Sequence, residues 1–549
     1  MKSFIAFLFI ILPVSMLAQH PHGSMVMPQT VTIDPGLGNV HHAVSTKNAL
    51  AQRYFDQGLA YVYAFNHDEA VKSFKQAADL DPGLAMAYWG IALARGSNYN
   101  LQADRGQLFE AYQNLQKAQG LASAASARDR AYIEALSKRY SSDPAADQAK
   151  LGKDYKAAMA GLVKQFTDDL DAATLYAESM MNLRPWQLWT LDGKPAEDTL
   201  EIVSVLEGVL RRDPEHSGAN HYYIHAVEAS PNPERALASA KRLSYLAPSA
   251  GHLVHMPSHI FIRTGSYDAA AKANAQAIVA DQNYIKKNGP QGIYPMMYFN
   301  HNISFLSSVS AMSGRYAEAM KNARELEANV APNLTEMPML EMFAAYPLVT
   351  MVRFHKWEEI IKESAPPTGQ KLTTAYWHLA RGIAAAETGK AVEASKELEA
   401  YAAAAREVPA DLPMGNNTAV AILKVAEMLL AGESALAKGN ITGGIKLLSD
   451  GASAGDLLNY DEPPDWDLPI REWLGRAYLK NQQYAEAEKV YRAELAKHAR
   501  NGRALFGLAE ALNKQGKVSS AKAALREYEK VWMTADSKLR IEDLYPKGH

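Results

Sequence analysis

The stretch AQRYFDQGLAYVYAFNHDEAVKSFKQAADLDPGL, residues 51–84, decides the fold of this chain. Counted from Ala51, small residues stand at positions 8, 20 and 27, aromatic residues at 11 and 24, and proline at 32. Small residues opposite large ones let two antiparallel helices pack closely, and proline ends a helix because it lacks an amide hydrogen. The residues that carry this pattern are Gly58, Tyr61, Ala70, Phe74, Ala77 and Pro82.

The same pattern recurs along the chain with a period of 34 residues, which is the period of the tetratricopeptide repeat (TPR). Pro214 and Pro248 stand 34 residues apart, as do Ala236 and Ala270. A C-terminal copy places Leu474, Gly475, Tyr478, Ala487 and Tyr491 on the same grid. The sequence therefore predicts an all-α, TPR-type, right-handed superhelical solenoid of antiparallel helix pairs. Departures from the period predict loop insertions at about 97–130, 183–197, 285–299 and 451–467.

The beginning of the chain predicts export. Lys2 precedes an apolar run from Phe4 to Leu17, which is too short to span a bilayer and is typical of a secretory signal. The chain has no cysteine, which excludes a lipid anchor, disulfides and thiolate metal ligands. We therefore expect a periplasmic or secreted protein, not a lipoprotein, without membrane insertion after signal removal.

The repeats also suggest how the chain is organised. The predicted regions are a signal peptide at 1–19, an N-terminal tail at 20–50, an N-terminal TPR region with insertions at 51–214, central histidine-rich TPR units at 215–335, TPR-like units at 336–450, and a C-terminal TPR pair with a preceding proline-rich loop at 451–549. The formal net charge is −3, with acidic and basic residues interspersed, which argues against a nucleic-acid partner.

Six of the sixteen histidines fall within three consecutive repeat units. With Ser217, Gly251 and Asn300 as the first residues of these units, the histidines occupy positions 5 and 9 in the first unit, 2, 5 and 9 in the second, and 2 in the third. These positions share one stripe, because each residue turns a helix by about 100°. The first helix of a TPR lines the inner groove, so we expect the stripe on the concave face. The six residues are His221, His225, His252, His255, His259 and His301.

This stripe predicts a site for a transition metal. Imidazole is the commonest protein ligand for Zn and Cu, and a third ring from a neighbouring helix completes a three-coordinate site with an open position. Six imidazoles suffice for two such sites holding Zn or Cu, with Fe also possible. Glu228 falls beside the stripe and is a candidate ligand, general base or orienter of an imidazole, and Arg263 is a candidate for holding an anionic group.

Three functions remain open at this stage. The leading hypothesis is an exported protein that binds a transition metal, or a ligand through it, by the histidine cluster on its concave face. The alternative is a metal-dependent enzyme, either a hydrolase with Glu228 as base and Arg263 as anion holder, or a two-copper oxidase. A plain TPR scaffold, with hydrogen-bonded histidines and no metal, is the third. The expected partners are accordingly a small molecule, a metal ion or a peptide in the groove.

Two insertions flank the histidine units in sequence and distinguish an enzyme from a binding protein. Residues 183–197 carry Arg184 and Trp186, and residues 285–299 carry Tyr298. We predict that these three residues gate the ligand. If the loops cover the cluster, a closed pocket favours chemistry on a small molecule, and if they project outward, an open groove favours binding.

The chain resembles a family of secreted bacterial TPR proteins. The resemblance covers nearly the whole mature chain and implies the TPR fold and export, without implying a particular activity. The segments that carry it are FDQGLAYVYAFNHDEA (55–70), AMAYWGIALARGSNYN (85–100), ANHYYIHAVEASPNPERA (219–236), AGHLVHMPSHIF (250–261) and NGRALFGLAEAL (501–512).

Overall fold

The structure is a computed structural model that describes residues 31–290 and 292–545. The described residues from Ile33 onward form one compact unit. The predicted signal peptide at 1–19 and residues 20–30 of the predicted tail lie outside the described residues. Within the described residues, no helix combines the length and the apolar character needed to cross a bilayer.

The first repeat, residues 51–84, forms the predicted helical hairpin. Asn48 begins α1 by accepting hydrogen bonds from the amides of Leu50 and Ala51, which have no partner inside the helix. Gly58 packs against the ring of Phe74, so closely that an added Cβ would lie 2.6 Å from that ring. The small-against-large pairing predicted from the sequence therefore holds α1 and α2 together.

The N-terminal part of the chain continues with helices that pack on their neighbours in sequence. These helices are α1 (Ala49–Tyr63), α2 (His67–Leu80), α3 (Ala85–Ala94), α4 (Arg105–Leu121), α5 (Ala127–Leu136), α6 (Gln148–Gln165), α7 (Leu170–Met181) and α8 (Thr199–Arg212).

The central part contains the histidine-bearing helices and a π-helical turn, Tyr294–Tyr298, that leads directly into α14. Its helices are α9 (Ser217–Val227), α10 (Leu237–Leu246), α11 (Gly251–His255), α12 (Pro257–Arg263), α13 (Tyr267–Asn288), α14 (Phe299–Met312) and α15 (Tyr316–Val330).

The C-terminal part is again helical, apart from a hairpin of two-residue antiparallel strands, β1 (Pro413–Met414) and β2 (Asn417–Thr418). Its helices are α16 (Glu341–Ala344), α17 (Tyr346–Arg353), α18 (Trp357–Lys362), α19 (Lys371–Glu387), α20 (Ala391–Glu407), α21 (Ala419–Ala437), α22 (Ile441–Asp456), α23 (Ile470–Lys480), α24 (Tyr484–Lys497), α25 (Gly502–Lys514) and α26 (Val518–Val531). Repeated helix pairs with almost no strand confirm the predicted all-α TPR-type solenoid.

Distant repeats pack back onto the central units. Helix α1 contacts α9 across more than 150 residues of sequence. On the other side, the hydroxyl of Tyr267 donates to the carbonyl of Ala499 at 2.8 Å, and the hydroxyl of Ser308 donates to Asp467 at 2.9 Å. The histidine-bearing helices are therefore covered from both ends of the chain.

The predicted insertions take several forms. Much of 97–130 is helical, because α4 lies within it and packs on α3. Residues 183–197 form a loop closed by an isolated bridge between Trp189 and Pro195. The segment 285–299 contains the last turn of α13 and the π-helical turn, and 451–467 begins as the end of α22 before it becomes a loop. An interruption in the repeat thus does not imply irregular structure.

Candidate metal centre

Three neighbouring units carry the six histidines on helices that begin close to the residues predicted from the repeat. Helix α9 begins at Ser217, α11 at Gly251 and α14 at Phe299, one residue before the predicted Asn300. Pro257 divides the second of these first helices into α11 and α12. Met256 between them keeps helical dihedral angles (φ −50°, ψ −34°), so the chain continues its helical path from α11 into α12.

The six histidines form two groups of three, which we call the first triad (His221, His225 and His252) and the second triad (His255, His259 and His301). Within each triad, one ring nitrogen of each residue lies within 4.8 Å of the other two. The Nε2 atoms of His221 and His252 are 3.1 Å apart, and those of His255 and His259 are 2.8 Å apart. Each triad therefore combines two rings that stand four residues apart in sequence with a third ring from another helix.

Hydrogen bonds at Nδ1 orient His221 in the first triad and His255 in the second. The Nδ1 of His221 donates to the backbone carbonyl of Tyr63 at 2.6 Å, and that of His255 donates to the side-chain oxygen of Asn274 at 2.7 Å. The side-chain nitrogen of Asn274 donates to the carbonyl of Ala270, so the side-chain oxygen of Asn274 is the acceptor for His255. A neutral imidazole that donates through Nδ1 has its lone pair on Nε2, the atom directed into the triad.

Glu228 links the two triads. Its carboxylate accepts a hydrogen bond from Nδ1 of His225 at 2.7 Å and another from Nδ1 of His259 at 2.6 Å. Burial raises the pKa of this carboxyl, but His259 and His225 beside it outweigh burial and lower the pKa to about 2. A carboxylate so acidic is a poor general base, and both its oxygens are engaged by imidazoles. Of the three roles that the sequence left open, the geometry favours orientation of the imidazoles.

The imidazoles are buried, and the pKa of five of them is lowered. The five on α9, α11 and α12 expose at most 5% of their surface, and His301 is less buried. Burial, together with the neighbouring imidazoles, lowers the pKa of His221, His252 and His255 well below the ordinary value and that of His301 to about 3. Neutral rings with available lone pairs are the form that binds metal.

Two features of the ring nitrogens would suit a bound cation. Among the described residues, the buried Nε2 of His225 has no hydrogen-bond partner. His255 and His259 each donate through Nδ1, so their Nε2 atoms, 2.8 Å apart, both present lone pairs. Two acceptors at this distance repel each other unless a proton or a cation lies between them.

Aromatic rings enclose both triads, including two of the predicted gating residues. The ring centroid of Trp186 lies 5.6 Å from that of His225, and Tyr298 lies 5.1 Å from His252. Trp186 adopts a left-handed backbone conformation (φ 59°), which is uncommon for a bulky residue and is typical of functional sites. Arg184, in contrast, forms an ion pair with Glu197 of its own loop.

Arg263 lies one step away from the imidazoles. Its guanidinium stands 5.5 Å from the ring centroid of Tyr460 and donates to the carbonyl of Ser230 at 3.3 Å. The hydroxyl of Tyr460 in turn donates to Glu228 at 3.3 Å. Arg263 therefore contacts Tyr460, which is a hydrogen-bond partner of Glu228. Among the described residues, Arg263 makes no contact with an imidazole.

Several residues of the site carry no signal in the sequence. Phe65, in the turn between α1 and α2, lies 4.5 Å from His221 between ring centroids, and Tyr99 lies 5.0 Å from His225. Phe305 packs 5.1 Å from His255. These contacts, like the carbonyl of Tyr63, bring together residues far apart in the chain. Asn274 alone could have been suspected, because it lies in the second helix that pairs with α11.

A cavity adjoins each triad. The larger, of about 150 Å³, includes His252 in its wall, and we call it the His252 cavity. The smaller, of about 40 Å³, includes His301, Asp461, Glu462 and Asp465. Each triad thus has one histidine beside open space.

A third group of potential ligands lies elsewhere, at His42, Asp169 and Asp171. Its side chains already have partners: Asp171 accepts from His42 at 2.8 Å and from the hydroxyl of Tyr63, and Asp169 accepts from Tyr132 at 3.0 Å. These hydrogen bonds leave Nε2 of His42 and Oδ2 of Asp169 without a hydrogen-bond partner among the described residues. With three imidazoles each against one, the two triads are the better candidate for a transition metal.

Comparison with known families supports the class of protein that the fold defines. Family models described as "Tetratricopeptide repeat" match residues 51–84 and 474–536, so the chain contains TPR repeats near both ends of its compact unit. These matches support a TPR protein. No curated protein matches the chain.

Solved structures similar to this chain include the APC/C hetero-tetramer Cut9–Hcn1, with 12% identity over 91% of this chain and 76% of that one and a TM-score of 0.29. The human IFIT1 dimer with m7Gppp-AAAA shows 13% identity over 89% and 91%, with a TM-score of 0.32. Yeast Tom70 shows 11% identity over 87% and 89%, with a TM-score of 0.30. Similarities with TM-scores this low support no conclusion about this protein.

Proposed function

We propose that this protein is a metal-dependent enzyme in which a TPR solenoid holds two transition-metal ions, one on each triad, and acts on a small molecule. The observation that carries the proposal is the pair of three-histidine groups joined through the single carboxylate of Glu228. Each triad supplies three neutral nitrogen ligands and leaves a coordination position open for substrate or water.

The donor set supports a transition metal over other cations. Imidazole suits Zn, Cu, Fe and Ni, whereas Mg and Ca prefer oxygen ligands, and the triads contain none. The triads offer only imidazole nitrogen, because the chain has no cysteine to supply a thiolate. We propose Zn or Cu as the ions, with Fe as a further possibility.

Enclosure of the triads supports an enzyme over a binding protein. Trp186 and Tyr298, from the two insertions that flank the histidine units, both contact imidazoles of the first triad. An open groove suited to an extended peptide would leave the imidazoles exposed, but five of them expose at most 5% of their surface. Excluding water and confining a small substrate favour catalysis.

The chain's own residues hold the centre in place. Glu228, the carbonyl of Tyr63 and Asn274 fix the ring orientations that direct Nε2 atoms into the triads. Metal ions bound there would act as Lewis acids that activate water, or as redox centres in the case of copper. Glu228 is engaged with two imidazoles, so we assign it to orientation, and Arg263 to supporting Tyr460.

Export is part of the proposal. The apolar run in residues 1–19 supports a secretory signal, and the protein would then act in the periplasm or outside the cell. A protein-interaction role is the second candidate, because TPR solenoids are suited to binding protein partners. That role accounts for hydrogen-bonded histidines, but not for the unpartnered Nε2 of His225 or for the 2.8 Å approach of the Nε2 atoms of His255 and His259.

Metal analysis tests the proposal. Protein purified without a histidine tag should carry close to two equivalents of Zn, Cu or Fe. Replacing one histidine of each triad, by His225→Ala with His255→Ala, should remove the metal, because each triad keeps only two ligands. Circular dichroism should show that the variant stays helical.

The matched control replaces two histidines outside the triads, by His41→Ala with His378→Ala, and should retain the metal. Wild-type protein that is free of metal and binds no added Zn, Cu or Fe at micromolar concentration would exclude the proposal and leave the scaffold.

A further inference from the structure

A group of side chains outside the two triads also has the composition of a cation site. It consists of His42, Asp169 and Asp171, and we call it the His42 group. One ring nitrogen of His42 and one carboxylate oxygen of each aspartate lie within 4.8 Å of one another. Donors that share one ion at about 2.0–2.2 Å lie no more than about 4.4 Å apart, so little movement would bring the three onto one ion.

Two distant parts of the chain supply the group. His42 lies in the segment before α1, whereas both aspartates lie at the beginning of α7, with Asp169 as its N-cap. His42 and Asp169 each expose 6% of their surface, and the side chain of Asp171 exposes 16%. Asp171 is therefore the member through which the group meets solvent.

Two buried polar atoms of the His42 group have no hydrogen-bond partner among the described residues. They are Nε2 of His42 and Oδ2 of Asp169. The other oxygen of Asp169 accepts from the hydroxyl of Tyr132 at 3.0 Å and from the amide of Ala172 at 2.9 Å. Because a buried polar atom without a partner destabilises the fold, a ligand that engages these atoms would be favoured.

Hydrogen bonds to one oxygen orient Asp171. Its Oδ1 accepts from the hydroxyl of Tyr63 and lies 3.3 Å from Nε2 of His216. Nδ1 of His216 accepts from the amide of Ala219 at 3.2 Å, so the proton of this imidazole is on Nε2 and faces Asp171. His216 therefore orients Asp171, whose Oδ2 is left facing Nδ1 of His42 at 2.8 Å.

Few basic side chains surround these carboxylates. Among the described lysines and arginines, only Arg128 forms an ion pair with either aspartate of the group, with its Nε 3.7 Å from Oδ2 of Asp169. Arg128 is itself partly exposed and donates to the exposed Asp168 at 2.9 Å. The group offers two carboxylates to one imidazole, which suits a divalent cation that prefers oxygen, such as Mn²⁺.

We propose that the His42 group binds one divalent cation of this kind, through a ring nitrogen of His42 and a carboxylate oxygen of each aspartate. The cation joins the segment before α1 to the beginning of α7. It also supports the first triad, because Tyr63 donates its hydroxyl to Asp171 and offers its carbonyl to Nδ1 of His221. This inference does not depend on metal at the triads.

Manganese binding tests the inference in protein whose triads are disabled by His225→Ala with His255→Ala. Free Mn²⁺ gives a sharp electron paramagnetic resonance signal, and the loss of this signal on adding protein counts the bound ions. This double variant should bind one equivalent of Mn²⁺ and should melt at a higher temperature in its presence. A double variant that takes up no Mn²⁺ at millimolar concentration would overturn the inference and leave the group as a network of hydrogen bonds.

Two neighbouring aspartates provide the matched variants. Asp169→Asn, added to the double variant, should weaken Mn²⁺ binding at least tenfold, because its oxygen accepts from Ala172 and its NH₂ group then takes the place of Oδ2. Asparagine is also an N-cap residue, so α7 should persist, which circular dichroism checks. Asp168→Asn changes an exposed carboxyl and should leave Mn²⁺ binding unchanged. Equal Mn²⁺ binding by the two variants would place the ion outside the His42 group and overturn the inference.

Discussion

At the scale of single residues, Glu228 connects the two halves of the candidate centre. It is buried, charged and bonded to one imidazole of each triad. Each carboxylate oxygen accepts from one Nδ1 atom, whereas a glutamine in the same place would present one acceptor oxygen and one NH₂ donor. Replacing Glu228 therefore tests whether the two triads are linked.

Glu228→Gln should lower the affinity for one of the two metal ions by about 10–100-fold, because the amide NH₂ group replaces one of the two acceptor oxygens and faces an Nδ1 donor. The measurement is metal retention against increasing chelator concentration. Glu234→Gln changes an exposed carboxyl on the same part of the chain and serves as the control. Loss of metal equal to that of the control would show that the Glu228 hydrogen bonds do not orient ligands.

A second residue-scale prediction concerns Asp281, a buried carboxyl that accepts hydrogen bonds from Tyr294 and Asn302, both at 2.7 Å. Burial raises its pKa from 3.8 to about 7, although both donors lower it. The unfolded state therefore releases this proton at lower pH than the folded state does. The stability that this group contributes is complete below pH 3.8 and is lost as the pH rises to about 7.

Asp281→Asn should remove this loss. Urea unfolding at pH 5 and pH 8 should show that the wild type loses about 3 kcal/mol more stability than the variant over this interval. Asp79→Asn, at an exposed position of α2, should follow the wild type. Parallel pH profiles for wild type and Asp281→Asn would contradict the prediction.

At the scale of helices, close packing of glycine against an aromatic ring determines the repeat. Gly58 and Gly90 both face the ring of Phe74, one from α1 and the other from α3. A single ring on α2 thus sits between two first helices, each of which has no side chain at the point of contact. This arrangement explains why the repeat specifies glycine and alanine at fixed positions.

Gly58→Ala should destabilise the protein by about 1–3 kcal/mol, because the new Cβ would lie 2.6 Å from the ring of Phe74 and force it to move. Thermal unfolding gives the difference. Gly120→Ala in α4, where an added Cβ meets nothing within 4 Å, should stabilise slightly through helix propensity. If both variants behaved alike, close packing at Gly58 would not be the cause.

At the scale of the whole molecule, the solenoid is closed on itself around the histidine units. Tyr267, at the start of α13, donates to Ala499 between α24 and α25. Such contacts join repeats that are far apart in sequence, so stability is not only a sum of terms between neighbouring repeats.

Tyr267→Phe should reduce stability by about 0.5–1.5 kcal/mol, because it removes the hydrogen bond and leaves the Ala499 carbonyl without this donor. Denaturant unfolding measures the change. Tyr245→Phe, at an exposed ring, should be neutral. Equal stability of the two variants would indicate that this contact between central and C-terminal repeats contributes nothing.

Much of the molecule could be derived from the sequence alone. The 34-residue period predicted the helix pairs, and the register placed the first helices of the histidine units at α9, α11 and α14. Local patterns suffice here, because both helical periodicity and close packing within a hairpin are properties of adjacent residues. Export remains a prediction from residues 1–19.

Only the tertiary structure decided the enclosure of the histidines and their division into two triads. The sequence predicted six histidines on an open face. In the structure, the Tyr63 carbonyl at the end of α1, Phe65 in the turn after it and Tyr460, which precedes α23, contact residues of the site. The role of Glu228 also followed from distances to two imidazoles on different helices. The physical reason is that a repeat pattern records contacts between neighbouring helices, while the path of the superhelix determines which distant repeats meet.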